Sequence, residues 1–281
     1  MVKISSPVVR ISRAVWRDGA LRDTSERATP EETPIALVYD GSTQAVMMAT
    51  PQDVEDFAVG FSLTEGIVAD AGQIESLEIV AHELGLEARM WLAKDPSRSL
   101  GSRRRSLAGP TGCGLCGVDS LEQAVKPARH VVADARFSAT DIHAALDALS
   151  RAQTLNFETR AVHGAGFYLP AAGLVAARED VGRHNALDKL AGCLARSGTD
   201  ASDGFVVLSS RVSFEMVQKA AVIGVGLLVA VSAPTALGVR MAEEAGITLV
   251  AIARDDGFEV FTHPHRVSDG AAASAARPGA A

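Results

Sequence analysis

Cysteine is scarce in this chain, with three in 281 residues. That excludes a disulfide-stapled scaffold at this length. Positive charge is not in excess either. Twenty-seven basic residues against 34 acidic give a formal charge of −7, which argues against a nucleic-acid binder working through bulk charge. No apolar run is long enough for a bilayer: Val222 to Ala233 is the longest and carries two internal glycines. The start, Met1 to Arg13, lacks the apolar stretch of a signal peptide, so a reduced cytoplasmic compartment and no membrane partner are expected. No G-x-G-x-x-G occurs outside the cysteine stretch Gly112–Gly117, there is no Walker loop, and Gly224-Val225-Gly226 is a packing feature. An ordinary dinucleotide or P-loop site is therefore not expected. No H-x-E exists to go with a P-C-x-x-C, which removes zinc-dependent deamination. No repeat of solenoid period is present.

What remains is a globular composition, 47% hydrophobic and 22% charged, able to fill one large core or two smaller ones. Val8 to Trp16 reads as a strand, Asp18-Gly19 as a turn, and the polar residues to Thr33 as a loop. Ile35–Tyr39 and Gln44–Ala49 flank a hairpin signal. Thr50-Pro51-Gln52-Asp53 reads as the N-cap, proline and acid of a helix ending near Glu65. Leu77–Ala81 and Leu86–Leu92 pair as strands. From the capping box Ser138-Ala139-Thr140-Asp141 onward, helices and apolar strands alternate, which predicts an α/β layered domain with a mixed, mostly parallel sheet. The expected organisation is a smaller α+β domain over 1–134, with a cysteine loop at about 95–118. An α/β cofactor-binding domain over 135–266 and a disordered tail over 267–281 follow.

The first chemical candidate is Gly112-Cys113-Gly114-Leu115-Cys116-Gly117, with Arg103, Arg104 and Arg105 upstream. Guanidinium groups and a helix start beside a thiol lower its pKa, making Cys113 and Cys116 candidate nucleophiles. A structural zinc site needs four ligands, and the spacing nominates no second pair. A thioredoxin-like exchanger would carry its CxxC after an early strand of a small domain, not on a mid-chain loop. Cys193, on the apolar side of a helix, reads as core. No metal ligands are assigned.

The second candidate is a set of strand ends. Arg178 to Lys189 places charges and a histidine at a strand-to-helix turn, where Gly182, Arg183 and His184 suit an anion. Ser209-Ser210-Arg211-Val212-Ser213 follows one apolar strand and Ser232-Ala233-Pro234-Thr235 the next, the position where open α/β sheets bind ligands. Ser210, Arg211 and Ser213 join Arg183 and His184 as candidate contacts for a phosphate-bearing ligand.

Taken together, Gly112–Gly117, Glu179–Leu190, Ser209–Lys219, Val231–Pro234, Ile247–Val250 and Val260–His265 closely resemble the FdhD/NarQ family. The resemblance implies a sulfurtransferase required for formate dehydrogenase activity. It would take persulfide sulfur from a cysteine desulfurase and deliver it to the molybdenum (or tungsten) bis-pterin guanine dinucleotide cofactor, a bound substrate and not a permanent cofactor. It also implies a cytidine-deaminase-like C-terminal domain, a homodimer, the persulfide on Cys113, and Cys116 as assistant. The family's cofactor loop falls on Ile252, Ala253, Arg254, Asp255, Asp256 and Gly257, where two acids depart from the expected chemistry. The alternatives kept open are a pterin- or nucleotide-binding maturation chaperone without sulfur transfer, and a CxxC zinc or redox module.

Overall fold

The structure, a computed structural model, describes residues 4–97 and 127–268, and of residues 23 and 24 the backbone alone. The cysteine motif, the Arg103–Arg105 run and most of the expected tail lie outside the described residues. In chain order come β1 (Val8–Arg17), β2 (Ala20–Pro30), β3 (Thr33–Tyr39), β4 (Ser42–Ala49), α1 (Val54–Thr64), β5 (Ile74–His82) and β6 (Gly85–Leu92). There follow β7 (Phe137–Ser138), α2 (Ala139–Ala152), α3 (Thr154–Thr159), β8 (His163–Leu169), β9 (Gly173–Asp180) and α4 (Arg183–Ser197). The remainder is β10 (Phe205–Leu208), α5 (Phe214–Ile223), β11 (Leu227–Ala230), α6 (Ala236–Ala245), β12 (Thr248–Arg254), β13 (Gly257–Val260) and β14 (Val267–Ser268).

These elements form two compact units that interleave in sequence. The first takes the described N-terminal part, Gln153–Gly164 and Arg178–Ser197; the second takes Pro127–Ala152, Ala165–Ala177 and the part from Gly198 onward. A contiguous division at residue 134 is therefore replaced by a discontinuous one. The physical reason is α4, which packs on α1 in the first unit through two glycines. A Cβ on Gly60 would sit 1.7 Å from the Asp188 carbonyl oxygen, and one on Gly192 would sit 1.9 Å from that of Asp56. Only hydrogen at both positions lets the two helix backbones touch.

In the first unit, β4-β3-β6-β5 form a mixed sheet, with β3 and β6 parallel and both outer pairs antiparallel. Period-2 burial of Ile35, Leu37 and Tyr39 on β3, and of Leu86, Ala88, Met90 and Leu92 on β6, gives one apolar face. Phe57, Ala58 and Phe61 of α1 belong to the same core. Each such aromatic side chain contributes about 1.5–3 kcal/mol when taken out of water. The α1 helix starts later than its sequence suggests: Asp53 is the N-cap, left-handed at φ 54° and without a side-chain cap. Thr50 is fully buried and engaged elsewhere. The stretch from Ala20 to Pro30, expected as loop, is strand β2, paired with β1 in a separate antiparallel ribbon. With almost every residue of both strands open to solvent, no apolar alternation marked it.

In the second unit, six strands run in the order β13-β12-β11-β10-β8-β9. Only β10, β11 and β12 are mutually parallel; β8 and β13 join antiparallel, so the sheet is mixed. β10 and β11 are buried along their whole length, as strands covered on both faces are. Ile142, Ala145 and Leu149 of α2 share a cluster with Phe205, Val207, Leu227 and Val229. The capping box forms as read: the Asp141 carboxylate accepts from the Ser138 N–H at 3.0 Å, and Ser138 Oγ accepts from the Asp141 N–H at 3.1 Å. The short α3 had no sequence signal.

Candidate functional site

In the second unit the ends of the three parallel strands are tied into one platform. The Val212 N–H donates to the Ala233 carbonyl (3.3 Å), and the Thr235 N–H donates back to that of Val212 (2.9 Å). The Ile252 N–H reaches the Ser232 carbonyl at 3.3 Å. Ser210, Arg211, Ser213 and the 252–257 loop are thus brought to one edge, with Ser232 and Thr235 beside them. Ser213 is the N-cap of α5 but forms no side-chain cap, so the first-turn amides and the positive end of the helix have no hydroxyl acceptor from it. Thr235, in contrast, caps α6 by accepting from the Gly238 N–H at 3.1 Å. Arg211 is exposed, while Ser210 is buried and donates to the Arg211 carbonyl at 3.1 Å.

The loop after β12 is strained. The β12–β13 register breaks between Ala251 and Arg254, and there Ile252 adopts φ 53° with its side chain partly exposed. A β-branched residue in the left-handed region costs about 1–2 kcal/mol, and it persists only where the surroundings impose it. Arg254 Nη1 donates to the carbonyls of Val231 and of Ala253 (2.9 Å), which clasps β12 to β11. Asp255 and Asp256 are exposed at the tip. The donor set around Arg211, Arg254 and the α5 N-terminus fits an anionic group; the two acids do not add to that fit.

Arg183 and His184 belong to the first unit, so within a unit they are not grouped with the strand-end residues. They open α4 at half-buried positions, and Arg183 Nε is a buried donor without a hydrogen-bond partner among the described residues. Most of the string around them serves internal structure. Lys189 and Asp180 are fully buried and paired at 2.7 Å. Lys189 Nζ also donates to the carbonyls of Thr50 (3.0 Å) and Glu179 (3.4 Å). The Asp180 carboxylate accepts from the N–H groups of Thr50 (3.0 Å) and Gly182 (2.8 Å) and from Asn185 Nδ2 (3.0 Å). On its charges the string reads as an anion cradle or as a solvated, salt-bridged helix, and neither reading contains this buried network. The i, i+4 spacing of Asn185 and Lys189 on a helix after Asp180 was the signal for an inward-facing network.

Beside it, burial raises the Glu179 carboxyl above its ordinary range although the Leu155 and Asn156 N–H groups, each at 2.8 Å, pull the other way. Cys193, expected in an apolar core, is half-buried among charges. Arg178 donates to its Sγ at 3.0 Å and to Asp56 at 2.6 Å, and Arg196 also holds Asp56. Burial pushes the Cys193 thiol up, against the pull of Arg178. That makes it a poor thiolate, unlike the setting read for Cys113, which with Cys116 lies outside the described residues.

Known proteins are similar to this chain along most of its length. The sulfur carrier protein FdhD of Agrobacterium fabrum is 51% identical over 272 residues, covering 95% of this chain and 98% of that one. That of Brucella abortus is 57% identical over 244 residues, covering 86% and 91%. The crystal structure of a protein described as a formate dehydrogenase accessory protein from Desulfotalea psychrophila superposes with a TM-score of 0.73 at 26% identity, covering 94% of this chain and all of that one. The FdhD/NarQ family model matches residues 30–268, which takes in both sheets, the Asp180–Lys189 network and the strand-end platform. With that match and those relatives, this chain belongs to the FdhD/NarQ family.

Proposed function

We propose that this chain is a sulfur carrier serving formate dehydrogenase, with Cys113 as the residue that carries the sulfur. The observation that supports it is similarity along nearly the whole chain to sulfur carrier proteins, joined to a Gly-flanked Cys113–Cys116 pair. In this reading the Cys113 thiolate attacks the outer sulfur of a persulfide on a cysteine desulfurase. A new S–S bond forms on Cys113, the old one breaks, and the desulfurase cysteine leaves as thiolate, with no outside oxidant. Cys116 assists the hand-over. The recipient substrate is the bis-pterin guanine dinucleotide cofactor of molybdenum, whose anionic groups suit the Arg211 and Arg254 edge and the α5 N-terminus. Arg183 and His184 are carried as further contacts. A cytidine-deaminase-like layering of the second unit, a homodimer and a cytoplasmic location complete the proposal.

Incubation with a desulfurase and cysteine, followed by mass spectrometry, tests it: Cys113 should gain one sulfur, about 32 Da. A Cys113→Ala variant should fold normally yet fail to restore formate dehydrogenase activity in a deletion strain. Full restoration by that variant overturns the reading. Cofactor binding without any sulfur adduct would favour the chaperone reading instead, which the anion-suited strand ends also support.

A further inference from the structure

The β1–β2 ribbon carries a charge pattern that the described residues of its own unit do not answer. Its base is anchored: Arg27 donates to the Thr159 carbonyl at 3.2 Å, and Arg10 lies 3.8 Å from Glu158. Toward the Asp18-Gly19 turn the ribbon is exposed, and the cross-strand pair Trp16 and Leu21 is 67% and 69% exposed. A two-stranded ribbon with nothing on either face is marginal in water. On one face Arg13 and Arg17 flank Val15, whose cross-strand partner is Arg22. With Ser25 they line a concavity of about 290 Å3. Among the described residues Arg13 and Arg17 have no carboxylate within 4 Å, and Arg22 has only the exposed Asp18 at 3.6 Å. Like charges at adjacent positions of a ribbon destabilise it, so this face calls for an anionic occupant.

The same unit contains the complement. Glu31, Glu32 and Glu83 line a second concavity, of about 230 Å3, rimmed by Leu84, which is 88% exposed. None of these three carboxylates has a cationic group within 4 Å among the described residues; nearby His82 is paired with Glu87 at 3.2 Å. The basic face cannot fold back onto this cleft. From Ser25 to Glu31 the strand runs six residues at about 3.3 Å each, roughly 20 Å of extended chain. It can reach the cleft of a second copy. Two copies related by a two-fold axis would satisfy both contacts at once, ribbon to cleft and cleft to ribbon.

We infer that the β1–β2 ribbon is a dimer clasp, whose Arg13, Arg17 and Arg22 face seats in the Glu31, Glu32 and Glu83 cleft of a second copy of this chain. This gives an interface to the homodimer of the proposed function and rests on it. Sedimentation equilibrium on the full chain tests it. Reversing the ribbon (R13E/R17E/R22E) or the cleft (E31K/E32K/E83K) should each raise the dimer dissociation constant at least about tenfold. Both reversals in one chain should bring it back to within about threefold of the starting value. Sulfur loading of Cys113 and the far-ultraviolet circular dichroism signal, measured on each variant, show that it has folded. A parent chain that is monomeric at every concentration overturns both the clasp and the homodimer. A dimer indifferent to either reversal, or two reversals that fail to compensate, overturns the clasp alone and shows the arginine face to be for another anionic partner.

Discussion

Replacing Lys189 by methionine tests whether the Asp180–Lys189 string holds the first unit together. The ammonium sits 2.7 Å from Asp180 with both side chains fully buried, and it also holds the Thr50 and Glu179 carbonyls. Methionine fills much of the same volume but leaves a buried carboxylate without its counter-ion. Removing one partner of a buried pair costs about 3–5 kcal/mol. The three donors that remain on Asp180 soften this loss, while the stranded carbonyls of Thr50 and Glu179 add to it at about 1–3 kcal/mol each if no water replaces the ammonium. The expected loss is therefore about 3–5 kcal/mol, a large part of the roughly 5–15 kcal/mol that holds a domain folded. Both tryptophans, Trp16 and Trp91, lie in the first unit, so urea unfolding followed by tryptophan fluorescence reads this unit directly. Adding Asp180→Asn to the methionine variant removes the lone charge and should recover at least about 1 kcal/mol. A loss below about 1 kcal/mol for Lys189→Met, or a double variant weaker than the single by more than that, would refute the reasoning.

Gly192→Ala should destabilise the first unit by about 1–3 kcal/mol, net of the small gain in helix propensity, because the new methyl meets backbone that has no rotamer to move. The urea midpoint checks it, and an unchanged or higher midpoint counts against the close α1–α4 crossing. The Glu179 carboxyl, raised by burial, binds its proton more tightly folded than unfolded. Stability is then greatest below its unfolded pKa near 4.5 and is lost as pH rises through the raised folded value. Relative to Glu179→Gln, the parent chain should weaken as pH climbs from that range toward neutrality; thermal melts of both across that window should diverge, and parallel curves contradict the assignment.

Much of the fold was legible where one face of an element is buried. Burial alternates with period 2 along β6 and over Ile35, Leu37 and Tyr39 of β3, and the Ser138–Asp141 box announced α2 by its own hydrogen bonds. The ribbon strand β2 was missed because, among its described side chains, burial begins only at Ala28, leaving Arg22, Glu26 and Arg27 indistinguishable from a loop. Thr50 looked like a cap because its hydroxyl precedes a proline. Its amide, hydroxyl and carbonyl in fact answer Asp180, Val181 and Lys189, residues far along the chain. No local pattern contains that information. The candidate site was legible as strand ends, since small and hydroxylic residues after buried strands are a local signal. The left-handed Ile252 was not, because nothing in Ala251-Ile252-Ala253 suggests a β-branched residue held at positive φ.

The interleaving of the two units bears on how the chain comes off the ribosome. The chain passes from one unit to the other five times, on reaching Pro127 and then after Ala152, Gly164, Ala177 and Ser197. The first unit is therefore incomplete until α4 has emerged. Before then α1 has no Gly192 to receive it, and Thr50 has neither Asp180 nor Lys189. Its closing contacts span 130 residues and more, and such long-range closure slows folding and leaves apolar surface waiting. A fragment ending near residue 134 should behave as an unfinished protein and not as a domain.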